Sequence, residues 1–592
     1  MIENLYSRFR KFKKTKVFNI FCYIWVALFS TLSFAPYHLT HFVWIAPFGL
    51  FWLEEKYIGK TKKLIFHGIM VSLFFCTFSF FWINHLLVVF GNFPFFLAFP
   101  IFLIYAAVFN LKFPFFLIVF SYFTRKLGRH HTLIAGFVAL LSEFFTFQLF
   151  PWYWGNLAAG NILLAQTAEY ASAYGLTFLI FIVSYCIYNL NIMRLEKFIL
   201  HKKKRILYLK FLSFPIFLFV FFLSSGFALY NKWSNISPKF QKQVLMIQPD
   251  APLEFRDGRS VKETMENLML RIEELIDVGS REKKPDIVVL PESGVPFFST
   301  NKTPATTMFR PSYWERFESL IYLTSQKYKA NVFFNEIDAS FAGGEINQNA
   351  LRYHNSSVLY DPNGQRGEYY RKSYLLAFGE YIPFGETFEF LYDLIPQVGR
   401  FIPGERQNLI TYFHTKNSEK TFKKKHIQWQ ETSSLGLNSL REYYKDNISV
   451  TERAGKFLPL ICYEVIIPEF VRRFVQLEDP DFILNVTNDK WYGKSVETYE
   501  HLDLARLRSI ELRKWMVRST NSGTSVFVDH LGRIVDNKFT GQETSEYYSK
   551  TIDIIKERPT FYALYGNLLL WIFLSIAFIY YLHSVYISKK LH

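Results

Sequence analysis

Asp286-Ile287-Val288-Val289-Leu290-Pro291-Glu292-Ser293-Gly294 decides how the polar half of this chain is read. Four apolar residues in succession, three of them β-branched, make a strand buried on both faces rather than one with a wet side. Pro291 and Gly294 then stop the strand and open a loop, which leaves the Glu292 carboxylate at the strand's end. The same alphabet extends in both directions. Upstream, residues 244–248 read as a strand, and 262–278 carry Met265, Leu268, Leu270, Ile272, Leu275 and Ile276 at helical spacing. Downstream, 313–328 read as a helix, 331–335 as a strand, and 356–360 as a strand entering the turn Asp361-Pro362-Asn363-Gly364. Residues 457–462 and 481–486 are further strands, 500–515 a helix, and 524–529 open a hairpin turning at 530–533. Strands alternating with helices, then hairpins, predict an α/β layered domain.

That domain is embedded in a very apolar chain. Of 592 residues, 50% are hydrophobic and 19% aromatic, which excludes a disordered polypeptide. The apolar residues are concentrated in 17–230 and 565–587, which excludes a wholly soluble one. About 20 apolar residues cross a bilayer as a helix. Eight spans are predicted, near 17–35, 40–53, 65–89, 99–123, 132–150, 172–192, 208–229 and 566–586. The expected organisation is therefore seven helices in 1–230, a large polar domain in 231–560, and an eighth helix with a basic tail in 561–592.

The net charge of +17 invites a nucleic-acid reading, but the basic residues crowd alternate connections between spans. Six precede the first span; Lys56, Lys60, Lys62 and Lys63 follow the second; Arg125, Lys126 and Arg129 follow the fourth. Seven more, from Arg194 to Lys210, follow the sixth, and Lys589 and Lys590 end the chain. The short connections 36–40, 90–98 and 151–171 contain no Lys or Arg. By the positive-inside rule both termini are cytoplasmic and 231–560 faces the opposite side. The first apolar run leads through Pro36, Tyr37 and His38 into the next one, which argues against a cleaved signal. Lys112 and Pro114 interrupt the fourth span, so Lys112 is expected to snorkel or to fill a helix break. The aromatic run Phe150–Trp154 is expected to anchor at the membrane interface, and the polar stretch 414–455 to be a surface insertion.

Three polar residues sit where predicted strands run out: Glu292, Lys372 in Tyr370-Arg371-Lys372-Ser373, and Cys462 after Leu458-Pro459-Leu460-Ile461. Cys22, Cys76 and Cys186 lie inside spans, so Cys462 has no disulfide partner in its domain. A thiol is mostly protonated at neutral pH, so as a nucleophile it needs a base or a nearby cation. A lysine favours the thiolate and stabilises an oxyanion. The trio is sufficient for acyl transfer. There is no Walker-type phosphate loop, G-x-S-x-G elbow, C-x-x-C pair or H-E-x-x-H, so no metal or cofactor is expected.

Pro291-Glu292-Ser293, the segment 371–383 and Ile461-Cys462-Tyr463-Glu464 resemble the catalytic blocks of the carbon–nitrogen hydrolase (nitrilase) superfamily. Thr487-Asn488-Asp489-Lys490-Trp491-Tyr492-Gly493, His501-x-x-x-Ala505-Arg506-x-Arg508-x-x-Glu511 and Arg518-Ser519-Thr520-Asn521-Ser522-Gly523 extend the likeness. With spans on both sides, the chain is similar to the apolipoprotein N-acyltransferase family of that superfamily. The resemblance implies an αββα sandwich carried by a polytopic helical membrane part. It implies Glu292 as general base, Lys372 as oxyanion stabiliser and Cys462 as nucleophile, with Glu380, Tyr463, Glu464 and Asn355 in support. It further implies a bacterial inner-membrane enzyme with its catalytic domain in the periplasm. Such an enzyme takes an acyl chain from a glycerophospholipid, through a cysteine thioester, to the α-amino group of a diacylglyceryl apolipoprotein. Ala377 replaces a frequent proline, and Phe255 stands where the family often has an arm tryptophan. Two other readings stay open: a membrane-tethered amidase using the same triad, and a non-catalytic scaffold that binds lipid or a partner.

Overall fold

The computed structural model describes all residues except 1, 90, 129–131, 190–201, 254–259, 297, 309–313, 345, 348–349, 395–397, 417–435 and 591–592. Phe255 and the middle of the polar stretch therefore lie outside the described residues. The strands are β1 (Phe240–Gln248), β2 (Ile287–Val289), β3 (Asn331–Phe341), β4 (Leu351–Tyr360), β5 (Arg366–Arg371), β6 (Ile410–Lys416), β7 (Val450–Ile461), β8 (Ile483–Thr487), β9 (Met516–Thr520), β10 (Val526–Val528) and β11 (Glu546–Ile554). They form two sheets, ordered β11-β1-β2-β3-β4-β5 and β10-β9-β8-β7-β6. Each is built on three adjacent parallel strands, β1-β2-β3 in one and β7-β8-β9 in the other.

The period of two along a strand explains the layering. Val244 and Met246 of β1, Ile287 and Val289 of β2, and Phe333 of β3 pack towards the second sheet. Leu245, Ile247, Val288, Val332 and Phe334 face the helices Val261–Glu282 and Glu315–Tyr328 instead. Phe333 meets Phe457 of β7 edge to face, with centroids 5.1 Å apart, and joins the sheets. Truncating such a core ring to alanine costs about 3–5 kcal/mol. The first of the two helices begins on a capping sequence, Ser260-Val261-Lys262-Glu263, whose Ser260 hydroxyl accepts from Glu263 N at 3.1 Å.

The helices Pro468–Leu477 and Glu497–Leu512 belong to the second sheet's half, and the apolar helices dock there. The seam is polar and buried. Trp82 Nε1 donates to Glu500 at 3.0 Å, Ser172 Oγ to Glu511 at 2.6 Å, and Arg513 Nη2 to Glu169 at 2.6 Å. Among the described residues, four helices are long and apolar enough to cross a membrane, or five counting the bent pair Arg8–Lys14 and Val17–Ser33. Other predicted spans are broken: 40–53 becomes a 3₁₀ turn, Thr40–Trp44, and a helix, Phe48–Tyr57, with Pro47 at its N-cap.

Two sequence expectations change, and one that held two alternatives is decided. Trp152, Tyr153 and Trp154 are buried in the protein instead of lying at an interface, because Trp152 stacks on Phe75 and Trp154 packs on Phe181. Of the two expectations for Lys112 the structure selects the helix break: it is 1% exposed, at the break between Phe95–Val108 and Lys112–Leu127, and does not snorkel. Its Nζ donates to Trp152 O at 2.8 Å and sits over that indole ring. The stretch 414–455 is in part regular structure. It contains the ends of β6 and β7 and the helix Leu437–Tyr444, whose Leu437, Leu440 and Tyr444 pack on Tyr322 and Leu323.

Candidate active site

The site forms where strands of both sheets stop. Glu292 follows β2, Lys372 follows β5 and Cys462 follows β7, and all three are buried. Beyond Glu292, Ser293 adopts φ 52° and its N–H donates to Asn335 Oδ1 at 3.0 Å. Asn335 in turn donates to Asn355 Oδ1 at 2.7 Å, and this aims the Asn355 amide. Asn355 Nδ2 donates to Glu292 Oε1 at 2.8 Å and to Glu380 Oε1 at 2.9 Å. Lys372 Nζ lies 2.9 Å from Glu380 Oε2 and 3.8 Å from Glu292 Oε1. The lysine thus pairs first with Glu380, which also accepts from Leu376 N at 2.9 Å.

Glu292 Oε2 has no hydrogen-bond partner, and the Glu292 carboxyl group interacts with the Cys462 thiol. Burial pushes Glu292 above the ordinary carboxylate value; Lys372 pulls it back and Glu380 adds to the rise. Burial, then Glu292, push the Cys462 thiol up, against Lys372 and the Thr487 hydroxyl. Burial opposes the charge on Lys372, but Glu380 and Glu292 hold its pKa above the usual lysine value. The resting arrangement is a protonated thiol beside a carboxylate of raised basicity, with a fixed cation next to both. That pairing suits proton transfer coupled to nucleophilic attack.

Cys462 has φ 53°, in the left-handed region, where β7 turns into the 3₁₀ turn Cys462–Ile466. Such a residue needs support from its surroundings. Glu464 provides it: Oε2 accepts from Ile461 N at 2.9 Å, while Oε1 accepts from Tyr370 Oη at 2.7 Å, Ser373 N at 2.8 Å and Tyr374 N at 3.0 Å. One carboxylate therefore ties the cysteine turn to the lysine segment. Burial pushes it up to about 7, against those donors and Lys372. Tyr463 is buried beside the rings of Phe150 and Tyr374, and its hydroxyl donates to Leu149 O in the helical part.

The seven residues singled out in the sequence come together around one thiol. Sequence reasoning passed over Asn335, although the β2–β3 register pairing Val289 with Phe333 carries Asn335 to the level of Pro291. It also assigned nothing to Thr487, Asp489, His501 and Arg518. Asp489, Glu497 and His501 bring one ligand-type atom each within 4.8 Å of one another. Arg518 Nη2 already lies 3.0 Å from Asp489 Oδ2, however, so a guanidinium holds the place a cation needs.

A carbon-nitrogen hydrolase family model matches residues 256–559, and the model of the apolipoprotein N-acyltransferase N-terminal domain matches 26–186. Apolipoprotein N-acyltransferase 2 of Leptospira interrogans serogroup Icterohaemorrhagiae serovar copenhageni is 53% identical over 98% of both chains. Apolipoprotein N-acyltransferase of Pasteurella multocida is 22% identical over 94% of both. Among solved structures, a carbon-nitrogen hydrolase from Helicobacter pylori G27 is similar over 53% of this chain and 89% of its own, at 16% identity and TM-score 0.32.

Proposed function

This chain belongs to the apolipoprotein N-acyltransferase family, and we propose that it carries an acyl chain from a glycerophospholipid to the N-terminal amine of a diacylglyceryl apolipoprotein, using Cys462 as nucleophile. In the first step Glu292 takes the thiol proton, and the sulfur attacks the ester carbonyl. Lys372 and the backbone N–H of Tyr463 face the oxyanion. The lysophospholipid leaves with the proton held by Glu292, and the acyl group remains as a thioester. In the second step the α-amino group attacks the thioester, Glu292 removes a proton from it, and the amide forms as the Cys462 thiol is restored. Glu380 holds Lys372 between the two carboxylates, Asn355 orients Glu292, and Glu464 fixes the turn that carries the nucleophile.

The observation that carries this reading is the buried Glu292–Lys372–Cys462 constellation, joined through Tyr463 to the apolar helices. Substrates with acyl chains stay in the bilayer, so a thiol beside membrane helices meets them without extraction. The apolar runs form eight spans, both termini lie in the cytoplasm, and 231–560 faces the periplasm of a bacterial inner membrane; the alternation of basic residues supports this topology. Mass spectrometry of a lipoprotein N-terminus from cells with and without the protein tests the function. The third acyl chain should be present with the protein and absent without it; an identical N-terminus in both removes the reading.

A further inference from the structure

Between the apolar helices and the second sheet lies a cavity of about 30 Å³ whose polar groups the acyl-transfer site does not use. That volume holds one water-sized group. Its wall is largely aromatic, with Trp82, Phe150, Tyr463 and Tyr492 among the rings, and into it come Glu497, Glu500 and His501. These three side chains are between 3% and 6% exposed. Glu497 Oε2 and His501 Nε2 are buried without a hydrogen-bond partner, and Trp82 Nε1 donates to Glu500 Oε2 at 3.0 Å. Buried polar atoms seldom stay unpaired, so two of them on one cavity point to a ligand.

The surrounding contacts set the polarity of the site. His501 Nδ1 lies 3.2 Å from Asp489 Oδ1 and 3.5 Å from Glu497 Oε1. Against burial and Arg518, Asp489 and Glu497 hold His501 above the ordinary imidazole value. A cation in the cavity opposes that proton, and the neutral ring, with its Nδ1–H donated to Asp489, then turns an Nε2 lone pair to the cavity. Arg518 is engaged by Asp489 Oδ2 at 3.0 Å and by Asn485 Oδ1 at 2.6 Å. Burial pushes Glu497 up to about 7, with Asp489 adding to the rise, and Glu500 well above the ordinary carboxylate value. A cation donor in the cavity relieves both. The nucleophile is close by: Tyr463 is a wall residue, and Thr487 Oγ1, which donates to Asp489 Oδ1 at 3.2 Å, also acts on the Cys462 thiol.

We propose that this cavity binds a primary ammonium group, with Glu497, Glu500 and His501 accepting its three N–H donors and the aromatic wall covering the adjoining methylene. The chemistry is selective. A phosphate is repelled by the carboxylates, and a quaternary ammonium has no N–H to give and is too large. The proposal rests on the acyl-transfer reading, in which two substrates can bring such a group: the acceptor's α-amine, or an aminoethyl headgroup on the donor lipid.

Full-length protein in detergent distinguishes these sources. Thioester formation is measured from labelled phosphatidylethanolamine and phosphatidylglycerol, and thioester decay with a diacylglyceryl peptide bearing a free N-terminus, in wild type, Glu497→Gln and Glu500→Gln. If the acceptor is the ligand, decay slows about tenfold or more and the two lipids are affected alike. If the headgroup is, any advantage of phosphatidylethanolamine over phosphatidylglycerol falls about tenfold. Rates within twofold of wild type in every arm mean a water site only and overturn the proposal. An equal loss in every arm marks a structural role and overturns it too. Should the variants fail to fold, wild-type protein decides: ethylammonium should inhibit and tetramethylammonium should not, and equal inhibition or none by either counts against it. Wild type that forms neither thioester nor N-acyl peptide removes the acyl-transfer reading itself.

Discussion

Glu380→Gln is the substitution whose outcome the geometry of the site specifies most closely. Glu380 and Glu292 share one amide, since Asn355 Nδ2 donates to an oxygen of each at 2.9 and 2.8 Å. Those two oxygens are then no more than about 5.7 Å apart, the sum of the two lengths. At an effective dielectric constant near 20, two unit charges at that separation repel by about 3 kcal/mol. This repulsion adds to the burial that already raises Glu292, while Lys372 at 3.8 Å opposes both. Glutamine removes the charge at nearly constant shape, so the Glu292 pKa should fall. A base of lower pKa is a weaker one. The acid limb of thioester formation should move to lower pH, and the plateau rate should drop about tenfold or more. Quenched-flow measurement of acyl-enzyme formation from labelled phospholipid, across pH, reads both. An acid limb that stays in place, or moves up, would refute the charge coupling through Asn355 and with it the assignment of Glu292 as the titrating base.

Cys462→Ala should abolish the hydroxylamine-sensitive acyl adduct, while Cys22→Ala, Cys76→Ala and Cys186→Ala should each retain it, because those thiols are buried in the apolar helices. Lys372→Met should move the alkylation profile of Cys462 to higher pH, since the lysine is a cation holding that thiol down; an unmoved profile separates lysine from nucleophile. Glu464→Gln sets an amide N–H against a backbone N–H and loses one charge-assisted hydrogen bond, about 1.5–3 kcal/mol, read as a lower unfolding temperature in detergent. Because the folded pKa of Glu464 is raised to about 7, its protonation stabilises the fold at acid pH and that contribution fades as pH rises through about 7. The variant's stability should therefore depend less on pH between about 5 and 8 than the wild type's, by scanning fluorimetry. A cysteine placed at the exposed Ser237 should react with an impermeant maleimide while the inner membrane is intact; labelling only after that membrane is opened reverses the topology.

The layered domain was legible in sequence because a strand buried on both faces has a distinctive composition. Residues 244–247, 287–290 and 482–484 are unbroken apolar runs, and each lies in a strand between two neighbours, with a parallel partner on at least one side. The helix near 262–278 was equally plain from its spacing and its Ser260 cap. By contrast β5 and β11 carry polar residues on an exposed side and lie at sheet edges, so nothing in their composition marks them. The membrane part was legible as apolar mass but not as helices. A run such as 40–53 is hydrophobic enough to be one span, yet Pro47 and the preceding 3₁₀ turn break it, and neighbours decide where such breaks fall.

For the site, the sequence by itself determined which residue types stand at three strand ends, and the block resemblance put Glu292, Lys372, Cys462, Glu380, Asn355, Tyr463 and Glu464 in one frame. What it could not reach was who pairs with whom. That Lys372 sits closer to Glu380 than to Glu292, that one Asn355 amide serves two carboxylates, and that Glu464 staples the cysteine turn to the lysine segment are relations across strands far apart in the chain. The same holds for Lys112, for which the sequence left snorkelling and a helix break both open; the structure has it at the break, held against Trp152, 40 residues on. Periodicity and strand-end chemistry are local properties of a chain, while pairing depends on register and on the depth of burial. A few tenths of an ångström and the exclusion of water decide those interactions, and only the packed structure sets either.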